Sequence, residues 1–315
     1  MNAIVEFPTL TSFKTYTQIQ LEYDPELHTL FSWMKPAPRP CFNAALLGEV
    51  SRFEKLLEAN AGHINHSGRP ERVAYLVAGS RSPGVFNLGG DLSMFIDAIT
   101  RKDHALLTHY AHLCVENIHR RLGGIGGQIP TIALVEGKAF GGGFECALTS
   151  DIIVAERDAT FSFPEPMFNM IPGMGALSLL RRRVGFRKAE ELVMSGQVFS
   201  AKELHDIGVV EILTESGKGL QTVRGLIQQR LKKQVAYRAL FQAKQLCQPI
   251  TKEELLGVVD VWVNAALQLE QRDLRMMSRL LRGQQRLSED ASANIVDARS
   301  SVDLSLQFAA AGGDD

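Results

Sequence analysis

The chain has 315 residues, with 34 lysine and arginine residues against 35 aspartate and glutamate residues, so its net charge is −1 when histidine is neutral. This balance argues against a protein that binds nucleic acid mainly through electrostatic attraction. Hydrophobic residues make up 45% of the chain and charged residues 22%, which is typical of a globular protein and excludes a disordered one.

The first part of the chain is predicted to alternate strands and helices after a lead-in without a clear period over residues 1–15. Asn43 is a suitable N-cap, and the apolar residues after it follow the helical spacing. Further along the chain, apolar residues again recur every three or four positions and form a stripe on one face. This stripe predicts a second, long helix that ends at Gly123-Gly124. The predicted elements are strands over 17–23 and 28–33, a helix over 43–58, a strand over 72–78 and a helix over 104–122.

The middle of the chain has the order strand, turn, helix, strand, which is typical of a βαβ unit. Its strands are nearly continuous apolar runs, as expected of strands that are buried on both faces. The predicted elements are strands over 131–135 and 151–155 around a glycine turn at 137–143 and a short helix at 144–149, then helices over 173–183 and 188–195 and a strand over 209–214. After residue 217 the pattern changes to two long amphipathic helices, over 221–246 and 252–281.

These elements predict an α/β protein with three regions. A mixed core is expected over residues 1–215, and a helical C-terminal region over 216–285. Residues 286–315 are rich in Ser, Asp, Ala and Gly and are predicted to be a mobile tail.

The location is predicted from three features. No uncharged apolar run approaches the roughly 20 residues that cross a bilayer. The N-terminus does not resemble a signal peptide, because Glu6 and Lys14 interrupt it. Four cysteines lie far apart without the paired spacing of a metal site: Cys41, Cys114, Cys146 and Cys247. We therefore expect a reduced, cytoplasmic protein without a bound metal.

Two glycine turns are the first candidates for chemistry. Gly141-Gly142-Gly143 precedes one helix, and Gly89-Gly90 precedes Asp91 and the start of another. Glycines permit backbone conformations closed to other residues, and one N–H from each turn could bind a developing oxyanion. The alternatives are a tight turn that packs against a strand and, for Asp91, a helix cap.

Two glutamates are the candidates for proton transfer. Glu145 follows the triple glycine and one aromatic residue, and Glu165 lies in the apolar segment Phe163-Pro164-Glu165-Pro166. A glutamate in apolar surroundings tends toward a raised pKa, which suits acid–base chemistry near neutral pH. The alternatives are a solvated loop residue for Glu165 and an ordinary first-turn helix residue for Glu145.

Four motifs together resemble the crotonase (enoyl-CoA hydratase/isomerase) superfamily. They are Leu88-Gly89-Gly90-Asp91-Leu92, Gly141-Gly142-Gly143-Phe144-Glu145, Phe163-Pro164-Glu165 and Ile171-Pro172-Gly173-Met174-Gly175. Within the superfamily, residues 85–92 and 167–176 and the segment Val261-Trp262-Val263 are most similar to diffusible signal factor synthases, bacterial enzymes that make cis-2-unsaturated fatty acid signals. The resemblance implies a crotonase-like ββα spiral core with a C-terminal helical trimerisation region, assembled as a homotrimer or hexamer.

The resemblance also implies a chemistry. Gly90 and Gly142 match the amide donors of an oxyanion hole, and Glu145 and Glu165 match a catalytic pair, with Glu165 acting at carbon and Glu145 at the β-hydroxyl or water. A 3-hydroxyacyl thioester on acyl carrier protein is dehydrated to a cis-2-enoyl thioester, and water then releases the free acid. No cofactor is required, because the phosphopantetheine of the carrier protein, or of CoA, presents the substrate. A membrane sensor kinase is a further expected partner, and nucleic acid is not.

The acyl tail is expected in an apolar pocket near the motifs, although such side chains are more often plain core. The candidates for this pocket are Met94, Phe95, Phe144, Met167, Phe168, Met174 and Trp262.

Several alternatives stay open. The segment Arg181-Arg182-Arg183 suggests a patch for an acidic carrier protein or CoA phosphates, but a solvated helix face explains it as well. Asn169 stands where hydratases usually have glycine, which favours a reshaped pocket over simple hydration of enoyl-CoA. The competing functions are a general enoyl-CoA hydratase of fatty acid metabolism and a binding protein that occupies a sensor.

Overall fold

A computed structural model describes residues 8–9 and 15–285 of the chain. The predicted tail at 286–315 lies outside the described residues, as does most of the predicted lead-in. The strands are β1 (Ile19–Asp24), β2 (Thr29–Met34), β3 (His63–His66), β4 (Arg69–Arg72), β5 (Tyr75–Ser80), β6 (Val85–Asn87), β7 (Thr131–Val135), β8 (Lys138–Phe140), β9 (Ile152–Glu156), β10 (Thr160–Ser162), β11 (Val198–Ser200) and β12 (Ile212–Thr214).

Helices are present where the sequence predicts them, including a helical C-terminal part, but the helix Ala201–Asp206 and the strands β3, β4, β6, β8, β10 and β11 are not among the predicted elements. They are α1 (Ala44–Ala59), α2 (Leu92–Thr100), α3 (His104–Leu122), α4 (Gly142–Leu148), α5 (Ala176–Val184), α6 (Phe186–Met194), α7 (Ala201–Asp206), α8 (Gly219–Leu231), α9 (Gln234–Cys247), α10 (Lys252–Ala266) and α11, described over 271–285. None of the helices within the described residues is both apolar and long enough to span a membrane.

The main sheet has six strands in the order β1-β2-β5-β7-β9-β12. The first pair is antiparallel and the others are parallel. Strand β7 is buried at every position, as its continuous apolar run predicts. The side chain of Asn43 accepts a hydrogen bond from the Leu46 amide and so caps α1 as predicted.

A smaller sheet positions the motifs, with the strand order β11-β10-β8-β6. Strand β8 lies between β6 and β10 in this sheet and is parallel to both. Each of the three strands is followed by one motif, namely Gly89-Gly90, Gly141-Gly142-Gly143 or Phe163-Pro164-Glu165. Since the carboxyl ends of parallel strands meet at one edge, motifs that lie far apart in sequence arrive at the same place.

The C-terminal helices differ from the prediction in their number. The predicted helix at 221–246 is divided at residues 232–233 into α8 and α9, and the predicted helix at 252–281 is divided at 267–270 into α10 and α11. Leu274 and Met277 of α11 are buried in the same apolar cluster as Phe95 and Trp262. After the second break, α11 therefore buries its apolar face in this cluster.

Candidate active site

Two hydrogen bonds of Gly89 hold the loop after β6 next to the amide of Gly90. The Gly89 amide donates to Asn87 Oδ1 at 2.8 Å, and the Gly89 carbonyl accepts from the Phe42 amide at 2.7 Å. Within the described part of the chain, no acceptor is found for the N–H of Gly90. The Gly90 N–H is therefore fixed in place and available to a ligand.

The second available amide belongs to Gly142, the first residue of α4. An N–H in the first turn of a helix has no acceptor inside the helix, and no other acceptor is found for it among the described residues. A Cβ added to Gly142 would lie 3.4 Å from Gly89 Cα and 3.6 Å from Gly90 N, so the two glycine turns are in contact. The structure thus brings together Gly90 and Gly142 as the oxyanion-hole prediction requires.

Glu145 is a buried residue of α4 whose side chain is held by the start of α5. Its Oε1 accepts hydrogen bonds from the Met174 amide at 2.8 Å and from the Ala176 amide at 3.0 Å. Burial raises the pKa of this carboxyl to about 7, although the hydrogen bonds from the two amides act to lower it. Glu145 lies in the first turn of α4, but its burial and its two hydrogen bonds make it more than the ordinary helix residue of the alternative interpretation.

Glu165 begins a short 3-10 helix, Glu165–Phe168, that follows β10. Its Oε1 lies 2.6 Å from the position of a Cβ at Gly141, and Gly141 has φ +51°, so only glycine suits that position. Its Oε2 is buried, with no hydrogen-bond partner among the described residues. Burial and, to a smaller extent, the negative charge of Glu145 raise the pKa of Glu165 to about 8.

The two amides and the two carboxyls line one cavity of about 530 Å³, a size typical of small-molecule sites. Most of its other lining residues are apolar, and the helices α2, α3, α10 and α11 and the 3-10 helix contribute many of the residues in this wall. Such a wall suits an acyl chain. The predicted pocket residues that line it are Phe95, Met167, Phe168, Met174 and Trp262.

Two predicted pocket residues do not line the cavity and need correction. Phe144 is fully buried and stacks on Phe163 with ring centroids 4.7 Å apart, because α4 turns that side chain toward the core while Glu145 faces the cavity. Met94 is half-buried and packs against the edge of the apolar cluster that contains Phe95. For both, the alternative of ordinary core packing is the correct one.

The sequence interpretation missed three contributors to the site. Asn87 lies inside a quoted motif, so its position was a usable signal, but its role in holding Gly89 was not foreseen. Tyr110 lines the cavity and donates to the Phe42 carbonyl at 2.6 Å. Gln284 of α11 donates from Nε2 to the Leu88 carbonyl at 3.1 Å, a contact of residues 196 positions apart that no local pattern indicates.

The basic run is used inside the protein. Arg182 donates to both carboxylate oxygens of Glu254, at 3.0 and 2.9 Å, and Arg183 pairs with Glu211 and donates to the Ser150 carbonyl at 2.7 Å. Their side chains are only 16% exposed. These two arginines thus connect neighbouring elements and form neither an open anion patch nor a solvated face.

Asn169 occupies a left-handed backbone position, with φ 62° and ψ 35°, at the end of the 3-10 helix. Asparagine and glycine are the residues that best tolerate this conformation. Asn169 is also absent from the cavity lining. The replacement of a glycine by Asn169 therefore preserves the turn, and it gives no argument against hydration of enoyl-CoA.

Asn87 is expected to control the rate through the Gly90 amide. In Asn87→Ala the buried Gly89 N–H loses its acceptor, so the loop relaxes and one donor of the hole shifts. A single hole donor contributes about 3 kcal/mol, and a shifted donor loses part of that contribution. We therefore expect kcat to fall about 30-fold, equivalent to about 2 kcal/mol, with little change in KM. Steady-state kinetics check this, with Asn43→Ala as a control that removes a helix cap and costs about 1 kcal/mol of stability without loss of rate. An equal loss of rate in both variants would contradict the prediction.

The pH dependence follows from the coupled pair. If turnover needs one protonated and one ionised carboxyl, pKa values of about 7 and about 8 predict a rate maximum between these values, with decline on both sides. Both pKa values lie above the ordinary 4.5, because burial in the folded protein disfavours the ionised carboxyls. Their contribution to the free energy of unfolding is therefore fully present below about pH 4.5 and is lost as pH rises through about 7 and 8. Rate profiles and urea unfolding from pH 5 to 9 measure both effects. A rate that is constant from pH 6 to 9 would contradict the first.

Sequence similarity connects the chain with acyl-CoA enzymes. Residues 69–228, more than half of the chain, match the family described as enoyl-CoA hydratase/isomerase. Human mitochondrial methylglutaconyl-CoA hydratase is 28% identical over 178 residues, which cover 54% of this chain and 48% of that protein. The matches with the first three curated relatives span only 48–59% of the length of those proteins.

Solved structures share the architecture. An enoyl-CoA hydratase from Bacillus halodurans superposes with a TM-score of 0.68 and 19% identity, covering 84% of this chain and 100% of that one. DspI from Pseudomonas aeruginosa superposes with a TM-score of 0.59 and 23% identity, covering 78% of this chain and 94% of that one. These likenesses show the fold alone, and they confirm the crotonase-like α/β core with C-terminal helices that the motifs predict.

Proposed function

Because the chain belongs to the enoyl-CoA hydratase/isomerase family, we propose that it dehydrates a 3-hydroxyacyl thioester to a cis-2-enoyl thioester and then hydrolyses the thioester to a free cis-2-unsaturated fatty acid. One observation carries the proposal. Two buried carboxyls with raised pKa values and two free backbone amides surround a single, mostly apolar cavity. This set of groups suits reactions that move protons beside a thioester carbonyl.

Dehydration begins with the thioester oxygen between the N–H groups of Gly90 and Gly142. The singly protonated pair reacts in the form that has its proton on Glu145, which is the minor form because the pKa of Glu165, about 8, is higher than that of Glu145, about 7. Ionised Glu165 removes the α-proton, and the negative charge that develops on the carbonyl oxygen is stabilised by about 3 kcal/mol for each donor. Protonated Glu145 gives its proton to the departing β-hydroxyl, which leaves as water. The pair exchanges one proton for another, so one carboxyl remains protonated and one ionised throughout.

Hydrolysis uses the same groups. A carboxylate of the pair accepts a proton from water, whose oxygen attacks the thioester carbon, and the two amides stabilise the tetrahedral oxyanion. The carbon–sulfur bond then breaks, and the protonated carboxyl returns a proton to the thiolate. Gly90 and Gly142 therefore serve both steps, and the residues of this chain supply all the proton transfers without a cofactor.

The fatty acid signal is favoured by the motif similarity to diffusible signal factor synthases and by the apolar cavity wall. A general enoyl-CoA hydratase is the second candidate, because the curated relatives carry hydratase names. Acyl carrier protein as the substrate carrier, a trimeric or hexameric assembly, a sensor kinase partner and a cytoplasmic location belong to the same proposal.

The deciding experiment supplies purified protein with 3-hydroxyacyl carrier protein and identifies the products by mass spectrometry. Release of a free cis-2-enoic acid, absent with Glu165→Gln, supports the proposal. Rapid hydration of trans-2-enoyl-CoA without release of acid would establish the hydratase instead. A protein without either activity, whose Glu145→Ala and Glu165→Ala variants retain a cellular signalling effect, would be a binding protein.

A further inference from the structure

Helix α11 has two faces of different character. Its inner face carries Leu274 and Met277, which are buried, and Gln284, which bonds to the Leu88 carbonyl beside the oxyanion hole. Its outer face carries Arg275, Arg279 and Arg282, all exposed. Positions separated by four and three residues lie on one side of a helix, so these side chains form a row, which we call the arginine stripe.

The three arginines of the stripe form no ion pair within the described part of the chain. Arg181, Arg182 and Arg183 each have a carboxylate within 4 Å, whereas no described carboxylate lies that close to any member of the arginine stripe. Arg279 also lines the catalytic cavity, as do its neighbours Gly283 and Gln284. Arg279, which is exposed and lines the cavity, therefore places free positive charge at one of the points where the cavity reaches the surface.

We propose that the arginine stripe is the docking surface for an acidic acyl carrier protein that delivers the acyl chain. This inference rests on the proposed function, because it assumes a substrate that is carried by a protein. The stripe extends about 10 Å along the helix axis, at 1.5 Å per residue. Such a row matches the acidic face of a helix, whereas a single phosphate is bound best by groups that converge on one point.

The position of the stripe supports the same occupant. A carrier protein on the outer face of α11 lies next to Arg279, where the cavity reaches the surface, so its phosphopantetheine can enter beside the helix. Electrostatic attraction between such faces raises the association rate and is weakened by salt. This places the carrier at α11 and away from the basic run at residues 181–183, whose charges are already paired with Glu254 and Glu211.

The test measures binding of fluorescently labelled holo-acyl carrier protein, without an acyl group, by anisotropy. The test variant carries the three substitutions Arg275→Glu, Arg279→Glu and Arg282→Glu. We expect it to raise the Kd for the carrier protein at least 30-fold and to remove most of the salt dependence of binding. A matched control, Lys55→Glu, Arg69→Glu, Lys233→Glu, makes the same change in net charge at exposed positions elsewhere. The triple glutamine variant of the stripe serves the same purpose if the glutamate variant does not fold.

The outcomes separate this inference from the proposed function. If the protein binds the carrier through the stripe but releases no acid, the stripe stands and the proposed chemistry fails. Unchanged binding in the stripe variant, equal weakening in the control, or no binding by the unaltered protein overturns the docking surface. Light scattering compares the number of subunits in the stripe variant with that in the unaltered protein. A different number would also overturn the docking surface, since the arginine stripe would then be a contact between copies of the chain.

Discussion

Replacing Glu165 with glutamine should lower the rate of dehydration about 10³-fold while the protein remains folded. The glutamine side chain has nearly the same shape, but it can neither take the α-proton nor return one. The carboxylate oxygen Oε2 is buried without a partner among the described residues, so no internal hydrogen bond depends on that oxygen. Single-turnover assays with a 3-hydroxyacyl thioester, quenched and separated by chromatography, measure the effect.

Glu49→Gln is the matched control for this prediction. Glu49 is also a buried glutamate, but it lies outside the cavity lining and accepts hydrogen bonds from the amides of Thr17, Gln18 and Ile19. Its replacement should cost stability and leave the rate nearly unchanged. Glu165→Gln should instead be at least as stable as the unaltered protein at pH 9, where ionising the buried pair is unfavourable.

Glu145→Gln should cause a loss of similar size, and the double variant should lose little more, because the pair acts as a unit. A Glu165→Gln protein that keeps more than one tenth of the rate would show that another group moves the proton. Additive losses in the double variant would show that the two carboxyls work in independent steps.

The site could be predicted from sequence because its parts belong to local patterns. A glycine turn or a proline-braced glutamate is visible in a few residues. That these parts meet is expected only from the resemblance to the crotonase superfamily, because β6, β8 and β10, which carry the motifs, are not among the predicted strands. The stripe of apolar residues predicted α3 over 104–122, and the structure has His104–Leu122. In the structure, β6, β8 and β10 lie side by side. Their ends therefore bring four site residues to one cavity, namely Gly90, Gly142, Glu145 and Glu165.

The remaining features depend on contacts that no local pattern contains. The break at 267–270 occurs in a segment whose apolar spacing continues, and after it Leu274 and Met277 are buried against distant helices. Phe144 was placed in the pocket because it precedes Glu145, but adjacent helical residues point about 100° apart and Phe144 faces the core. The arginines at 181–183 resemble a surface patch until their partners Glu211 and Glu254 are located.

Gly143→Ala should have the largest effect on stability and should abolish activity. A Cβ at Gly143 would lie 2.0 Å from the Asn87 carbonyl oxygen and 2.7 Å from its carbon. These are backbone atoms of β6, so no side-chain rotation can relieve the contact, and α4 must move away from the loop that carries Gly90. We expect a loss of about 3 kcal/mol in unfolding free energy, measured by urea denaturation, and no detectable turnover.

Gly257→Ala is the control for that substitution, because Gly257 is an exposed position in the interior of α10 with no atom within 4 Å of its added Cβ. It should raise the unfolding free energy by about 0.5–1 kcal/mol, as alanine usually does in a helix, without changing the rate. The contrast is informative because both changes add one methyl group to a helical glycine. If Gly143→Ala were as stable and as active as Gly257→Ala, α4 and β6 could not be in backbone contact, and the two amides would not share one oxyanion.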